Sequence, residues 1–172
     1  MGVGFDNIFD HVIPMDEFVL KWRFTDEDYN QLPQLHLDQI KPLDQQAAKF
    51  LWDFISTSGL HSDIPFKRNF FRNIDKARIF EGNDREIKKW LYQRGLPFDR
   101  MVFLSYQPGT ALIVPWKLLI KYFNYFQYGD DLTVIDASLK WALFFHHEGE
   151  IYFGSNENFV PDSQFNDIDF LW

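Results

Sequence analysis

Two adjacent histidines, His146 and His147, stand beside two carboxylates, Glu148 and Glu150, in the stretch WALFFHHEGEIYF from Trp141 to Phe153. An imidazole titrates near neutral pH, and a neighbouring carboxylate can orient it. The chemistry within reach is therefore that of a general base, or of nitrogen and oxygen ligands to a metal ion. Aromatic and aliphatic runs flank the cluster, which predicts a buried β-hairpin carrying these four residues at its tip. A turn on Glu148-Gly149 sets His147 opposite Glu150 and Phe145 opposite Tyr152. His146, His147, Glu148 and Glu150 are thus the candidate catalytic residues. No metal is assigned to them, because a catalytic zinc site takes three protein ligands and His11, His36 and His61 lie in no ligand spacing. A histidine bonded to a carboxylate at a sheet edge is also a common structural device, so the cluster admits both readings.

Other catalytic templates fail. Ser105 lacks the G-x-S-x-G context of a nucleophile elbow, and no glycine-rich phosphate loop follows a strand. The absence of cysteine excludes thiolate nucleophiles, disulfides and cysteine metal sites. No cofactor motif is present. Asp130-Asp131 and Asp26-Glu27-Asp28 read as solvated turns or helix caps, without calcium-loop spacing. Trp22, Trp52, Trp90, Trp116 and Trp141 fall at apolar-face positions and read as core rather than as a stacking platform.

The elements that must hold the hairpin are legible in outline. Phe18, Leu20, Trp22 and Phe24 alternate with Val19, Lys21 and Arg23, which predicts a half-buried strand. A long acidic connection broken by Pro33 and Pro42 follows. Leu43, Ala47, Phe50, Leu51, Phe54 and Ile55 then form the apolar stripe of an amphipathic helix ending before Gly59. Asn83 with Glu86 opens a second helix, closed by Gly95. Met101 to Tyr106 and Ala111 to Val114 form a hairpin across Gln107-Pro108-Gly109, read as a type II turn. Pro115 starts a helix with Trp116, Leu119, Ile120, Phe123 and Phe126 on one face, and Leu132 to Asp136 is a short strand. The expected fold is α+β: a mainly antiparallel sheet with a C-terminal β-hairpin packed by two or three amphipathic helices. Residues 1–172 form one globular domain in this reading, with residues 155–172 an acidic, aromatic tail packing on it.

Aromatics make up 19% of the chain, with 20 Phe and 6 Trp, so they must dominate the core and leave a surplus for an apolar surface patch. The formal net charge is −8, and residues 141–172 contain no Lys or Arg. Such a surface repels polyphosphate backbones, so nucleic-acid binding is not expected. The basic stretch from Lys67 to Arg100 reads as a solvated helical face. No apolar run approaches the ~20 residues of a membrane span, and the N-terminal residues are the reverse of a secretory leader. The expectation is a cytoplasmic protein with oligomeric state open.

KWRF, the IKPL run ahead of FLWDFI, and the late WALFFHHEGEIYF hairpin together resemble an uncharacterised bacterial, mainly proteobacterial, family of domains of unknown function. The resemblance spans nearly the whole chain and implies no activity, cofactor or catalytic residue. The last hairpin is also similar to those of some small immunity and sheet-based binding proteins. Two functional readings follow. In the favoured one the chain is a non-enzymatic binding or interaction protein, immunity-like, blocking a basic protein partner through its acidic surface. In the other it is a small hydrolase or metal-assisted enzyme using His146, His147, Glu148 and Glu150.

Overall fold

Apolar strand-forming runs in the second half of the chain build most of one sheet, and two segments from the first half complete its edges. A computed structural model describes residues 2–28 and 31–160. Its strands are β1 (Lys41–Pro42), β2 (Asn73–Arg78), β3 (Met101–Gln107), β4 (Thr110–Pro115), β5 (Leu132–Ile135), β6 (Trp141–Phe145) and β7 (Glu150–Ser155). They form a seven-stranded sheet in the order β1-β4-β3-β5-β6-β7-β2, with every pairing antiparallel. The helices are α1 (Trp22–Thr25), α2 (Gln34–Leu37), α3 (Gln45–Ser58), α4 (Asp84–Tyr92), α5 (Trp116–Lys121) and α6 (Phe123–Gln127). The α+β architecture follows. No described helix is long and apolar enough to cross a membrane.

The central strands are covered on both faces, as their nearly unbroken apolar sequences require. One face packs Val102, Leu104, Leu112, Val114, Val134, Trp141, Leu143, Phe145 and Phe153 against α4, α5 and α6. Trp141 is fully buried there, edge-on to Trp116 with ring centroids 6.1 Å apart, and its indole N–H donates to Asp136 at 2.8 Å. The opposite face meets α3 through Ala47, Ala48, Leu51 and Ile55, which pack over Phe103, Ile113, Ile135 and Ala142. Asp44 caps α3 by accepting the Ala47 amide at 2.9 Å, and Gly59 ends it at φ 75°, a left-handed conformation that glycine adopts without strain.

Several expectations fail for identifiable reasons. Phe18 to Phe24 is a turn leading into α1 rather than a strand. Both sheet edges are taken by other segments, and Arg23 is buried to donate to the Phe126 carbonyl and pair with Asp130. Pro108-Gly109 connects β3 and β4 without a positive φ at Gly109; a register shift between Ser105 and Gln107 absorbs the twist instead. Asn83 precedes α4 but does not cap it, its side chain serving Phe80 N–H and the Arg78 carbonyl. The helix after Pro115 breaks at Tyr122 into α5 and α6. Part of the basic stretch is the exposed edge strand β2. Of the tail, Phe159 packs on the α4–α6 side, while Phe165, Phe170 and Trp172 lie outside the described residues.

Candidate functional site

The antiparallel register places Ser105 opposite Thr133, and Thr133 opposite Phe144. Directly opposed residues share a face, so these three form one row across β3, β5 and β6, on the side that meets α3. Ala111, opposite Ser105, extends the row with another small side chain. The neighbouring row on that face, Ile113, Phe103, Ile135 and Ala142, is wholly apolar. The small and polar residues of the first row leave a cavity of about 410 Å³ beneath the C-terminal end of α3. Trp52, Ile55 and Ile64 form its apolar rim, Phe144 lies in its floor, and Ser105, Thr133, His61 and Asp131 supply its polar groups.

His61 follows the Gly59 turn and reaches onto the sheet. Its Nδ1 lies 2.7 Å from the Pro65 carbonyl and its Nε2 2.8 Å from the Thr133 hydroxyl. A carbonyl only accepts, so Nδ1 carries the proton, Nε2 accepts, and the Thr133 hydroxyl donates to it. Burial lowers the pKa of His61 and outweighs the opposing effects of the Pro65 bond and of Asp131, which keeps the ring neutral. Hydroxyl, neutral imidazole and carbonyl in line are the parts of a base-activated hydroxyl. They also satisfy three polar groups in a buried setting. Ser105, by contrast, is only 3% exposed, and its hydroxyl has no hydrogen-bond partner among the described residues. Tyr106, the next residue, lies on the opposite face by the ordinary alternation of the strand, and its hydroxyl donates to the Phe126 carbonyl at 2.7 Å.

The hairpin tip differs from its expected register by one residue. Phe145 pairs with Ile151 rather than Tyr152, and the loop has three residues, closed by the Gly149 amide donating to the His146 carbonyl at 2.9 Å. Gly149 at φ 99° allows the three-residue form. The expected His147–Glu150 pair is therefore replaced by two others. His146 Nδ1 lies 3.3 Å from Glu150, which also binds Arg78 at 2.8 Å. The Asp131 carboxylate accepts both the backbone amide of His147 at 2.8 Å and its Nδ1–H at 2.9 Å. The bond to Asp131 raises the pKa of His147 above its ordinary value. Partial burial pushes the Asp131 carboxyl up, but the side-chain and amide bonds from His147 outweigh it and hold the group below the usual carboxylate range.

None of His146, His147, Glu148 and Glu150 lines the cavity, whereas Asp131 belongs to both places. Of the cavity's polar residues, the sequence sets aside Ser105 as a nucleophile, His61 as a ligand and Asp131 as a solvated turn residue, and gives Thr133 no role. The signal available was a serine inside the apolar strand MVFLSYQ and a threonine inside LTVI, polar residues where strand burial demands a reason. Trp52, expected in the core, is 38% exposed at the cavity rim. A family model described as a protein of unknown function (DUF2947) matches residues 12–154, a span that contains every residue of the cavity and of the hairpin tip. No curated protein and no solved structure matches the chain.

Proposed function

The chain belongs to the DUF2947 family, described only as protein of unknown function, and from its geometry we propose that it is a binding protein for a small molecule held between α3 and the sheet. The observation that carries the reading is the Ser105 hydroxyl, buried without a partner in the cavity wall. Leaving a buried hydroxyl unpaired costs about 1–3 kcal/mol, and a ligand polar group would recover that. The volume falls in the range of about 300–1,000 Å³ usual for ligand sites, and an apolar lining with a few convergent polar groups is their usual composition. The fitting ligand is a compact molecule with an apolar or aromatic body, to lie against Trp52 and Phe144, and a hydrogen-bonding group for Ser105.

This specifies the binding reading differently from a basic, toxin-like protein partner, which rests on charge alone. The test is a fragment screen of small cyclic amides and alcohols, followed by ¹H–¹⁵N NMR. Binders are expected to shift the Trp52 indole N–H and the Ser105 and Thr133 amides, and to lose at least tenfold in affinity in Ser105→Val, which fills the wall with methyl groups. A screen without hits, or hits that bind Ser105→Val and Trp52→Ala as tightly as the native chain, would sink the proposal.

A further inference from the structure

We propose that the tip of the β6–β7 hairpin is a binding site for a divalent transition metal of the zinc class, with Asp131, His146 and His147 as its protein ligands. One ligand atom from each of the three lies within 4.8 Å of the other two. A tetrahedral ion with bonds of about 2.0–2.2 Å spaces its ligands by about 3.3–3.5 Å. His147 and Asp131 are 57% and 54% exposed, so their side chains can close that distance without disturbing the core. The two rings already lie with centroids 4.2 Å apart.

The backbone holds the cluster in place. The His146 amide donates to the Glu150 carbonyl, the Gly149 amide to the His146 carbonyl, and the His147 amide to Asp131, at 2.9, 2.9 and 2.8 Å. Glu150 fills a recognisable supporting role: it lies 3.3 Å from Nδ1 of His146, which orients that ring and leaves Nε2 as its ligand atom. Glu148 belongs to the same tip, its carboxylate within 4.8 Å of His146 and Glu150 ligand atoms. Two imidazoles with one carboxylate select zinc, cobalt or nickel over calcium and magnesium, which take all-oxygen ligand sets. Three protein ligands leave a fourth position for water, the arrangement of reactive rather than structural zinc. The inference does not depend on the cavity having a ligand, because only Asp131 is common to both.

The experiment is titration of the untagged chain with zinc chloride by calorimetry, with cobalt(II) as the spectroscopic probe. One zinc is expected to bind per chain with micromolar or tighter affinity. Bound cobalt should show the visible absorption of a four- or five-coordinate ion, and the His146 and His147 ring signals should move in NMR. Affinity should fall at least tenfold in His147→Ala and in Asp131→Asn, but not in His61→Gln. Absence of binding, only weak binding of several equivalents, or unchanged affinity in both tip variants would overturn the proposal. The NMR readout needs no variant, so a variant that failed to fold would not shelter it.

Discussion

The two faces of the same sheet have been put to opposite uses. Against α4, α5 and α6 the strands present an unbroken apolar surface, in which the indole N–H of Trp141 has a buried acceptor in Asp136 while that of Trp116 on α5 has none among the described residues. Against α3 the surface changes within one row of residues, from Phe103 and Ile135 to Ser105 and Thr133, and there a cavity opens. Packing to high density stabilises a fold but leaves nowhere for another molecule. Stability therefore resides on the first face, and the room for another molecule lies on the second.

The contrast is open to attack first where it predicts the largest effect. Trp141→Ala should cost about 3–5 kcal/mol, a cavity-scale loss compounded by stranding Asp136. Urea melts would measure it, and a change below about 1 kcal/mol would mean that the first face is not where stability resides.

Acid should act on the second face. His61 has its folded pKa below its unfolded value of about 6.5, so its contribution is complete above that pH and is lost as pH falls through the folded value. Protonation places charge in a buried wall and removes the acceptor of the Thr133 hydroxyl. Melts at pH 7.5 and 5.5 should therefore show a larger loss for the native chain than for His61→Gln. Equal losses would place the acid sensitivity elsewhere.

The smallest effect has the opposite sign. Ser105→Ala removes a buried hydroxyl that has no partner, so the ligand-free protein should be unchanged or more stable by up to about 1 kcal/mol. A clear destabilisation in the same melts would show that the hydroxyl is satisfied, and the two faces would then differ far less than described.

What could be read in the residues follows the range of the interactions concerned. α3 was legible to its last turn, because its stripe and Gly59 are local signals, and so were the β3–β4 and β6–β7 hairpins. β2 was not: NIDKAR has neither alternation nor an apolar run, because it lies at an edge with most side chains in solvent. At the hairpin tip the four chemical residues were evident, but their pairings were misassigned by one residue of register. Asp131 entered only through the β5–β6 pairing. The cavity was illegible for the same reason. Ser105 and Thr133 are each a single polar residue within the apolar run of a strand and become a polar row only when β3 and β5 align, with His61 arriving from another part of the chain.

The sheet's edges bear on the order in which the chain can assemble during synthesis. β1 pairs with β4 through Lys41 and Ile113, and β2 pairs with β7 through Asn73 and Ser155. Each edge strand thus leaves the ribosome long before the hairpin that receives it, and such long loop closures slow folding. The nascent chain must hold an unpaired β2 until β7 emerges, a period in which exposed strands recruit one another. Asp75, Lys76 and Arg78 within that strand are suited to this interval: charged side chains on a waiting edge discourage pairing with other chains while leaving its backbone ready for β7.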